Sequence, residues 1–233
     1  VVSNFVRREG TFEPEELELF KSLVHEGDVY CDLGSHVGSY AVPMASHVGI
    51  NGRVYAFEPF RLVFQLLMGN VAINGLANVY GNNVAVGAKA EVRSVKSPAL
   101  TRSSNIGATS VYNQAREHYG ENQVLQYEGT ENVKVITFDS LNLQKVNFMK
   151  IDVEGALDKV LRGGQRTIKR FRPIIACEHG EGNGPPLLLE WGYKCVLALP
   201  IHELWVCVPK ESWAKYSWLA DVPEGGRYQA QQD

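Results

Sequence analysis

The sequence predicts an α/β protein with a doubly wound, Rossmann-like sheet of seven mostly parallel strands that ends in an antiparallel hairpin. Continuous apolar runs alternate with segments of helical periodicity, which is typical of a parallel sheet covered on both faces. A glycine-containing turn, D-L-G-S-H-V-G (32–38), follows the first apolar run. The 233 residues, 45% hydrophobic and 21% charged, suit a single domain over 1–233.

The predicted elements follow in chain order. Apolar residues at 17, 20, 23 and 24 predict a first helix over 14–24, and D-V-Y-C-D-L predicts the first strand at 28–33. A helix over 36–48 comes next, with Pro43 early in it or bending it. Further strands are predicted over 53–59, 78–87, 146–152 and 172–180, with helices over 60–74 and 154–170.

Two stretches break the alternation of strands and helices. Residues 88–145 are long and polar, with one strand predicted over 132–138. Residues 193–209 predict two strands around a turn, which would form the antiparallel hairpin. The aromatic residues of this last region are expected either to form a dimer contact or to pack on the sheet edge; they are Trp205, Trp213, Tyr216 and Trp218.

Charge, hydropathy and cysteine usage narrow the class of protein. A formal net charge of −3 argues against a nucleic-acid binder that neutralises phosphates. No apolar run approaches the roughly 20 residues of a membrane span, and the first residues lack an apolar signal core. The four cysteines form no C-x-x-C pair. We therefore expect a cytoplasmic monomer or homodimer with reduced thiols and no zinc site.

Acidic and amide side chains at three successive strand ends indicate the ligand. Gly34 and Gly38 lie four residues apart, which differs from the G-x-G-x-x-G turn of dinucleotide sites. Glu58 ends the second strand, where a carboxylate can accept hydrogen bonds from ribose hydroxyls, and Asn83 ends the third. With Asp32 on the first strand, this pattern fits S-adenosylmethionine (SAM) better than NAD. Ordinary turn chemistry and a surface carboxylate are the structural alternatives.

Four segments resemble the FkbM-type class I SAM-dependent methyltransferases: G-D-V-Y-C-D-L-G-S-H-V-G-S-Y-A-V-P-M-A, G-R-V-Y-A-F-E-P-F, N-V-A-V-G and, above all, F-M-K-I-D-V-E-G-A-L-D-K-V-L-R-G-G. The resemblance implies O-methylation of sugars, polyketides or other small or glycan-linked hydroxylated acceptors. It also implies a SAM site with Glu58 on the ribose, Asn83 and Val84 near adenine, and Asp152 near the methionine end or the methyl group. The glycine turn would contribute Asp32, Gly34, Ser35, His36 and Gly38.

One departure from the family concerns Ser35 and His36, where relatives more often carry Ala-Asn. This departure affects the contact expected with the methionine carboxylate of SAM. Backbone N–H groups of the turn would make that contact instead. Residues 88–130, which leave the third strand beside the expected methyl site, would form a lid over the acceptor. Its hydroxyl-binding candidates are Ser103, Ser104, Asn105 and Tyr112. An ordinary surface insertion is the alternative.

Deprotonation of a hydroxyl calls for a general base or a metal ion, and the fourth and fifth strand ends offer candidates. Asp152 and Glu154 follow the fourth strand; Glu178 and His179 end the fifth. We expect Asp152 to position the donor and acceptor and Glu178 or His179 to remove the proton, with Glu154 as a further candidate or a helix cap. A divalent metal is possible but not expected. The alternatives are an NAD(P)-dependent oxidoreductase, a nucleic-acid methyltransferase and a catalytically inactive SAM-binding protein.

Overall fold

Strands and helices alternate along the computed structural model, which describes residues 12–99, 106–113, 118–119, 123–124, 126–179, 184–199 and 203–221. The strands are β1 (Val29–Leu33), β2 (Arg53–Phe57), β3 (Val79–Asn82), β4 (Ala85–Val86), β5 (Glu91–Pro98), β6 (His118–Tyr119), β7 (Gln123–Val124), β8 (Tyr127–Ile136), β9 (Phe148–Ile151), β10 (Ile174–Glu178), β11 (Tyr193–Leu199) and β12 (Leu204–Pro209). The helices are α1 (Pro14–Leu23), α2 (Ala41–Val48), α3 (Arg61–Ile73), α4 (Leu157–Gly163), α5 (Gln165–Phe171) and α6 (Pro186–Glu190), with 3₁₀ turns at Ile106–Ala108, Phe138–Leu141 and Lys210–Asp221.

The central sheet has seven strands in the order β11-β12-β10-β9-β1-β2-β3. Strand β12 runs antiparallel to β10 and β11, and the other neighbours are parallel. This confirms the predicted fold class, including the C-terminal hairpin. The chain builds the sheet outward from β1 to β3 and then returns to β9 on the other side of β1. Ligands of such sheets bind outside the carboxyl ends of the strands at this reversal.

The middle strands are buried on both faces, which explains their continuous apolar sequences. Every residue of β1 and β9 is buried. On one face Tyr30 and Phe148 stack with ring centroids 5.4 Å apart and pack with residues of α1 and α2. On the other face Cys31 and Met149 pack with residues of α4 and α5. This double cover holds the strand ends, and the side chains that follow them, at fixed positions.

Two predicted elements are divided in the structure. The strand expected over 78–87 becomes β3 in the central sheet and β4 in a second sheet of order β4-β8-β5, and β8 contains most of the strand expected over 132–138. The helix expected over 154–170 becomes α4 and α5. Asp139 explains the second division because its carboxylate accepts the N–H groups of Arg166 and Thr167, which caps the start of α5.

The helix expected over 36–48 begins only at Ala41. Residues 34–40 instead form a turn at the end of β1 in which Gly34, His36 and Gly38 have positive φ angles. Pro43 consequently lies in the first turn of α2, where its missing N–H has no helical partner to lose.

The C-terminal hairpin carries a disulfide that the sequence analysis did not anticipate. Cys195 and Cys207 face each other across β11 and β12 and are bonded. The expectation that all four thiols are reduced is therefore wrong for this pair, because the hairpin register brings the two residues together. Cys31 and Cys177 are free and buried, as predicted.

Aromatic residues of the C-terminal region pack on the central sheet. Trp205 is buried in β12, whereas Trp213, Tyr216 and Trp218 pack, partly buried, against the hydrophobic core. Of the two expectations for these residues, the structure shows packing on the sheet. None of the helices in the described part of the chain is both long and apolar enough to cross a membrane.

Candidate active site

A cleft of about 260 Å³ opens at the carboxyl ends of β1, β2, β9 and β10. Its size is close to the range of small-molecule sites, whose volumes start at about 300 Å³. Nine of the residues singled out from the sequence line it: Gly34, Ser35, His36, Glu58, Val84, Tyr112, Asp152, Glu154 and Glu178. Four others are not among its lining residues: Asp32, Gly38, Asn83 and His179.

Gly34 is needed for contact between two strand ends. Its φ angle is +88°, and a Cβ at this position would lie 1.7 Å from the carbonyl oxygen of Asp152. Gly38, with φ +94°, lies against α3, since a Cβ there would be 2.8 Å from Leu67 Cδ1. Both glycines were expected to contribute to the SAM site. The close approaches are instead to the backbone after β9 and to α3.

The backbone of the glycine turn is bonded to β2. The N–H groups of Gly34 and Ser35 donate to the Phe57 carbonyl at 3.0 and 2.9 Å, and that of His36 donates to Glu58 Oε2 at 3.0 Å. The Ser35 hydroxyl donates to the Asp32 carbonyl at 2.7 Å and accepts the Phe57 N–H at 3.0 Å. These three N–H groups therefore serve the fold, and the expectation that backbone N–H groups of the turn bind a ligand carboxylate stays a prediction for the others.

The His36 ring offers a polar atom beside this turn. Its Nε2 is buried and has no hydrogen-bond partner among the described residues. Burial lowers the pKa of His36 to about 4, so the ring is neutral near pH 7. A neutral imidazole can present a donor or an acceptor to a ligand, according to its tautomer.

Glu58 lies at the end of β2 with its carboxylate held by the backbone. Oε1 accepts the Phe60 N–H at 2.9 Å, and Oε2 accepts the His36 N–H. The residue is 5% exposed, and this burial raises the pKa of Glu58 to about 8. The two backbone hydrogen bonds fix the direction of the carboxylate where it borders the cleft.

Asn83 fixes the loop that carries Glu58. Its Nδ2 donates to the carbonyl oxygens of Glu58 at 2.9 Å and Pro59 at 3.0 Å. This amide nitrogen is thus used by the protein, and the expectation that Asn83 lies near adenine stays a prediction. The neighbouring Val84 does line the cleft, together with Phe60 and Ile106.

The sequence analysis missed Lys150, a buried cation between two carboxylates. Lys150 is 4% exposed, and its Nζ lies 3.0 Å from Asp152 Oδ2 and 3.9 Å from Asp32 Oδ1. Asp32 is fully buried, and neither of its carboxylate oxygens has a hydrogen-bond partner among the described residues. Burial raises the pKa of Asp32 to about 6, although the charge of Lys150 opposes this. A lysine inside an otherwise apolar strand, two residues before Asp152, was the available signal.

Helix α1 and the residue before it add two further acids, Glu16 and Glu13, at this end of the cleft. The Tyr40 hydroxyl lies 2.8 Å from Glu16 Oε2 and 2.5 Å from Glu13 Oε2. Burial, and then the charge of Glu13, raise the pKa of Glu16 to about 8. Because one hydroxyl proton serves one acceptor at a time, a proton on Glu16 supplies the second hydrogen bond. The sequence analysis assigned α1 no role at the site because its spacing predicted only packing.

Glu178 and His179 follow different paths from the end of β10. Glu178 lines the cleft, and the residue as a whole is exposed. Its carboxyl group is nevertheless partly buried, and this burial, followed by the charge of Asp152, raises the pKa of Glu178 to about 9. The His179 N–H donates to the Glu203 carbonyl, and the His179 carbonyl accepts Trp205 Nε1–H at 3.0 Å. The backbone of His179 is thereby tied to the C-terminal hairpin.

Glu154 follows β9 with a φ angle of +47° and is not the cap of α4, whose N-cap residue is Ala156. The Glu154 carbonyl accepts the Ser110 hydroxyl at 2.8 Å. In the described part of the chain, no three His, Cys, Asp or Glu side chains are grouped so as to hold a metal ion.

Part of the segment over 88–130 borders the cleft. Ser110 is buried and bonded to Glu154, which joins this segment to the loop after β9. The cleft-lining residues from the segment are Ile106, Gly107, Ala108, Thr109, Val111 and Tyr112. Ser103, Ser104 and Asn105 lie outside the described residues.

Solved structures with the same fold are methyltransferases. A methyltransferase from Geobacter sulfurreducens aligns over 89% of this chain and 85% of its own, with a TM-score of 0.51 and 10% identity. A SAM-dependent methyltransferase from Aquifex aeolicus aligns over 84% and 88%, with a TM-score of 0.45 and 16% identity. At 10% identity the likeness to the Geobacter protein concerns the fold alone.

Methyltransferase FkbM from Methylobacillus flagellatus KT aligns over 67% of this chain and 34% of its own, with a TM-score of 0.46 and 16% identity. The chain thus spans about a third of that protein's length. A comparison with curated proteins finds no match. The family model of the methyltransferase FkbM domain, by contrast, matches residues 32–193, which is well over half of the chain and includes the end of β1 and all of β9 and β10. The chain therefore belongs to the FkbM methyltransferase family.

Proposed function

We propose that this protein transfers a methyl group from SAM to a hydroxyl oxygen of a sugar, a glycan or another small hydroxylated acceptor. Membership of the family implies the donor. The proposal for the acceptor depends on one observation: Asp152 and Glu178, at the ends of neighbouring strands β9 and β10, share one cleft with Glu58. A hydroxyl is a poor nucleophile near neutral pH, so its methylation benefits from a nearby carboxylate that accepts the proton.

The residues at the β2 end of the cleft fit an adenosyl group. The Glu58 carboxylate, held by two backbone N–H groups, has lone pairs left for ribose hydroxyls. Phe60, Val84 and Ile106 supply apolar surface for the base. His36, whose Nε2 has no partner among the described residues, would contact the methionine part.

Glu178 and Asp152 would divide the work on the acceptor. SAM, when bound, would supply a methyl group already activated by the positive charge of its sulfur. The acceptor oxygen forms a bond to that carbon while the carbon–sulfur bond breaks and its electron pair stays on sulfur. The hydroxyl proton passes to the Glu178 carboxylate, and Asp152 aligns the hydroxyl. Such alignment is a major part of catalysis of a displacement.

Glu178 is favoured over His179 as the base because Glu178 lines the cleft and His179 does not. With a pKa raised to about 9, Glu178 holds its proton at neutral pH. We therefore expect the rate to rise with pH toward 9. His179 stays a second candidate, tested by the matched variants Glu178→Gln and His179→Gln.

The segment over 88–130 would select the acceptor. Its residues 106–112 form one side of the cleft and are joined to the loop after β9 by the Ser110–Glu154 hydrogen bond. A change at Tyr112, which borders the cleft, should alter acceptor KM more than donor affinity.

The expected cytoplasmic location stays a prediction. The Cys195–Cys207 disulfide argues against it, because structural disulfides are rare in cytosolic proteins.

Donor binding is tested without any acceptor. Calorimetry with SAM and S-adenosylhomocysteine (SAH) should show binding that Glu58→Gln weakens by roughly 10-fold, the loss of about one hydrogen bond. Glu18→Gln, an exposed site on α1 away from the cleft, is the control. Absence of SAM binding by the wild-type protein would refute the donor assignment.

Methyl transfer is then tested with labelled SAM over glycans and small hydroxylated metabolites. An acceptor hydroxyl that gains label, with loss of turnover in Asp152→Asn and Glu178→Gln, supports the proposal. Label that appears only on nitrogen or carbon would refute the proposed oxygen acceptor. Full turnover in Glu178→Gln with loss in His179→Gln would transfer the base to the histidine.

A further inference from the structure

We propose that Lys150 is a positioning residue: its buried ammonium group holds the Asp152 carboxylate in place at the cleft, and the buried carboxylate of Asp32 holds the ammonium group. The inference deepens the proposed function and rests on it. It also gives the acidic residue of the glycine turn a role other than ligand contact.

The three charged groups form a line across two strands. Lys150 pairs in register with Asp32 on β1, and the alternation of strand residues puts Lys150 and Asp152 on the same side of the sheet. The Lys150 Nζ donates a hydrogen bond to Asp152 Oδ2 at 3.0 Å. Asp32 Oδ1, at 3.9 Å, is a charge partner without a hydrogen bond. The directional contact of the ammonium group is therefore the one to Asp152.

Other contacts limit where the ammonium group can lie. Its Nζ is 4.7 Å from the centre of the Tyr40 ring, a cation–π distance, and the Tyr40 hydroxyl is in turn bonded to Glu16 and Glu13. Lys150 itself lines the cleft, whereas Asp32 is completely buried. The cation is thus fixed from the interior side, and its effect reaches the cleft through Asp152, which is 30% exposed.

The charges around Lys150 are almost all negative. It faces Asp32 from β1, Glu178 from β10, Glu16 from α1, and Asp152 directly after its own strand, with the neutral rings of Tyr40 and His36 nearby. Burial disfavours the charged ammonium, but Asp152 and Asp32 outweigh burial and raise the pKa of Lys150. The cation also opposes the rise in the pKa of Glu178.

A simpler role of Lys150, neutralisation of the buried charge, has to be distinguished from the positioning of Asp152. Lys150 could serve only to neutralise the buried charge of Asp32, and Lys150→Met alone would then leave that charge uncompensated and destabilise the fold. The double variant Asp32→Asn/Lys150→Met removes both charges. If neutralisation were the whole role, this variant would recover stability and activity together.

The test compares that double variant with Lys150→Arg and the wild-type chain. We expect the double variant to unfold cooperatively but to lose roughly 10²-fold in kcat, the cost of misplacing a reacting group by about 1 Å. Without the cation, Glu178 keeps its proton to higher pH, so half-maximal kcat moves to higher pH. Lys150→Arg, which keeps the positive charge, should have a kcat between that of the double variant and that of the wild-type chain. Wild-type kcat and pH profile in the folded double variant would overturn the proposal.

A second measurement needs no turnover. In protein labelled with ¹⁵N-lysine, the bonded ammonium of Lys150 should give a slowly exchanging signal, which Asp152→Asn shifts or removes and Asp32→Asn disturbs less. The reverse pattern would refute the assignment of Lys150 to Asp152. Because this readout is independent of methyl transfer, it distinguishes failure of the inference from failure of the proposed function.

Discussion

Replacing Gly34 by Ala should push apart the two strand ends that carry the site. The new Cβ would lie 1.7 Å from the Asp152 carbonyl oxygen, and relief to 3.0 Å requires a shift of 1.3 Å (3.0 − 1.7). The left-handed backbone costs an alanine about 1–2 kcal/mol, and overpacking adds about 1–3 kcal/mol. The free energy of unfolding should therefore fall by about 2–5 kcal/mol, measured by urea denaturation.

The same shift threatens the Asp152 N–H hydrogen bond to the Leu33 carbonyl, now 2.9 Å long, and moves the Asp152 carboxylate. Turnover should consequently fall by roughly 10²-fold even in protein that remains folded. Gly27→Ala is the matched control, since Gly27 has φ +80° and no atom within 4 Å of a Cβ. It should lose only the backbone part of the stability, with unchanged SAH binding. Equal losses in the two variants, with normal turnover in Gly34→Ala, would refute the steric argument.

Three further predictions concern stability. The pKa of Glu16 is 4.5 in the unfolded chain and about 8 in the folded one, so between these pH values the folded protein holds a proton that the unfolded chain has released. The free energy of unfolding should therefore fall as the pH rises from 4.5 to 8, by up to about 1.4 kcal/mol per pH unit. Urea titrations at several pH values should show this slope, and Glu16→Gln should flatten it. Asp139→Ala should lower the free energy of unfolding by about 1–2 kcal/mol, because it removes the cap of α5. The control Asp158→Ala, at an exposed site on α4, should change the free energy of unfolding by no more than about 0.5 kcal/mol. Equal effects of the two variants would contradict the capping role. Reduction of the disulfide, or Cys195→Ser with Cys207→Ser, should lower the free energy of unfolding by about 3 kcal/mol, because the two cysteines are 12 positions apart in the chain. Alkylation of denatured, unreduced protein should label Cys31 and Cys177 alone. Four labelled thiols would contradict the disulfide.

Sequence periodicity predicted the central sheet well because buried parallel strands need unbroken apolar runs. The runs around Tyr30 and Phe148 became β1 and β9, and the three glutamates expected at the cleft, Glu58, Glu154 and Glu178, line it. Periodicity could not predict the division of residues 78–87 between two sheets. That division depends on β8, a strand more than 40 residues away in the chain, which pairs with β4.

The roles of individual polar residues could not be predicted so well, since hydrogen-bond partners are set by neighbours distant in sequence. Asn83 has the chemistry to contact a ligand, but its amide nitrogen bonds to the carbonyls of Glu58 and Pro59. The N–H groups of Gly34 and Ser35 are used by the Phe57 carbonyl at the end of β2. Lys150 drew no attention because its two carboxylate partners are recognisable only when β1 and β9 lie side by side.

By itself the sequence determined the class of fold, the family and the strand ends where acidic residues occur, because these follow from local hydrophobic period and short motifs. Only the tertiary structure decided which of those residues border one cleft, which are buried, and where Lys150, Glu16 and the Cys195–Cys207 bond belong. The physical reason is that burial and pairing arise between chain segments far apart in sequence. These contacts set the charge and direction of each side chain.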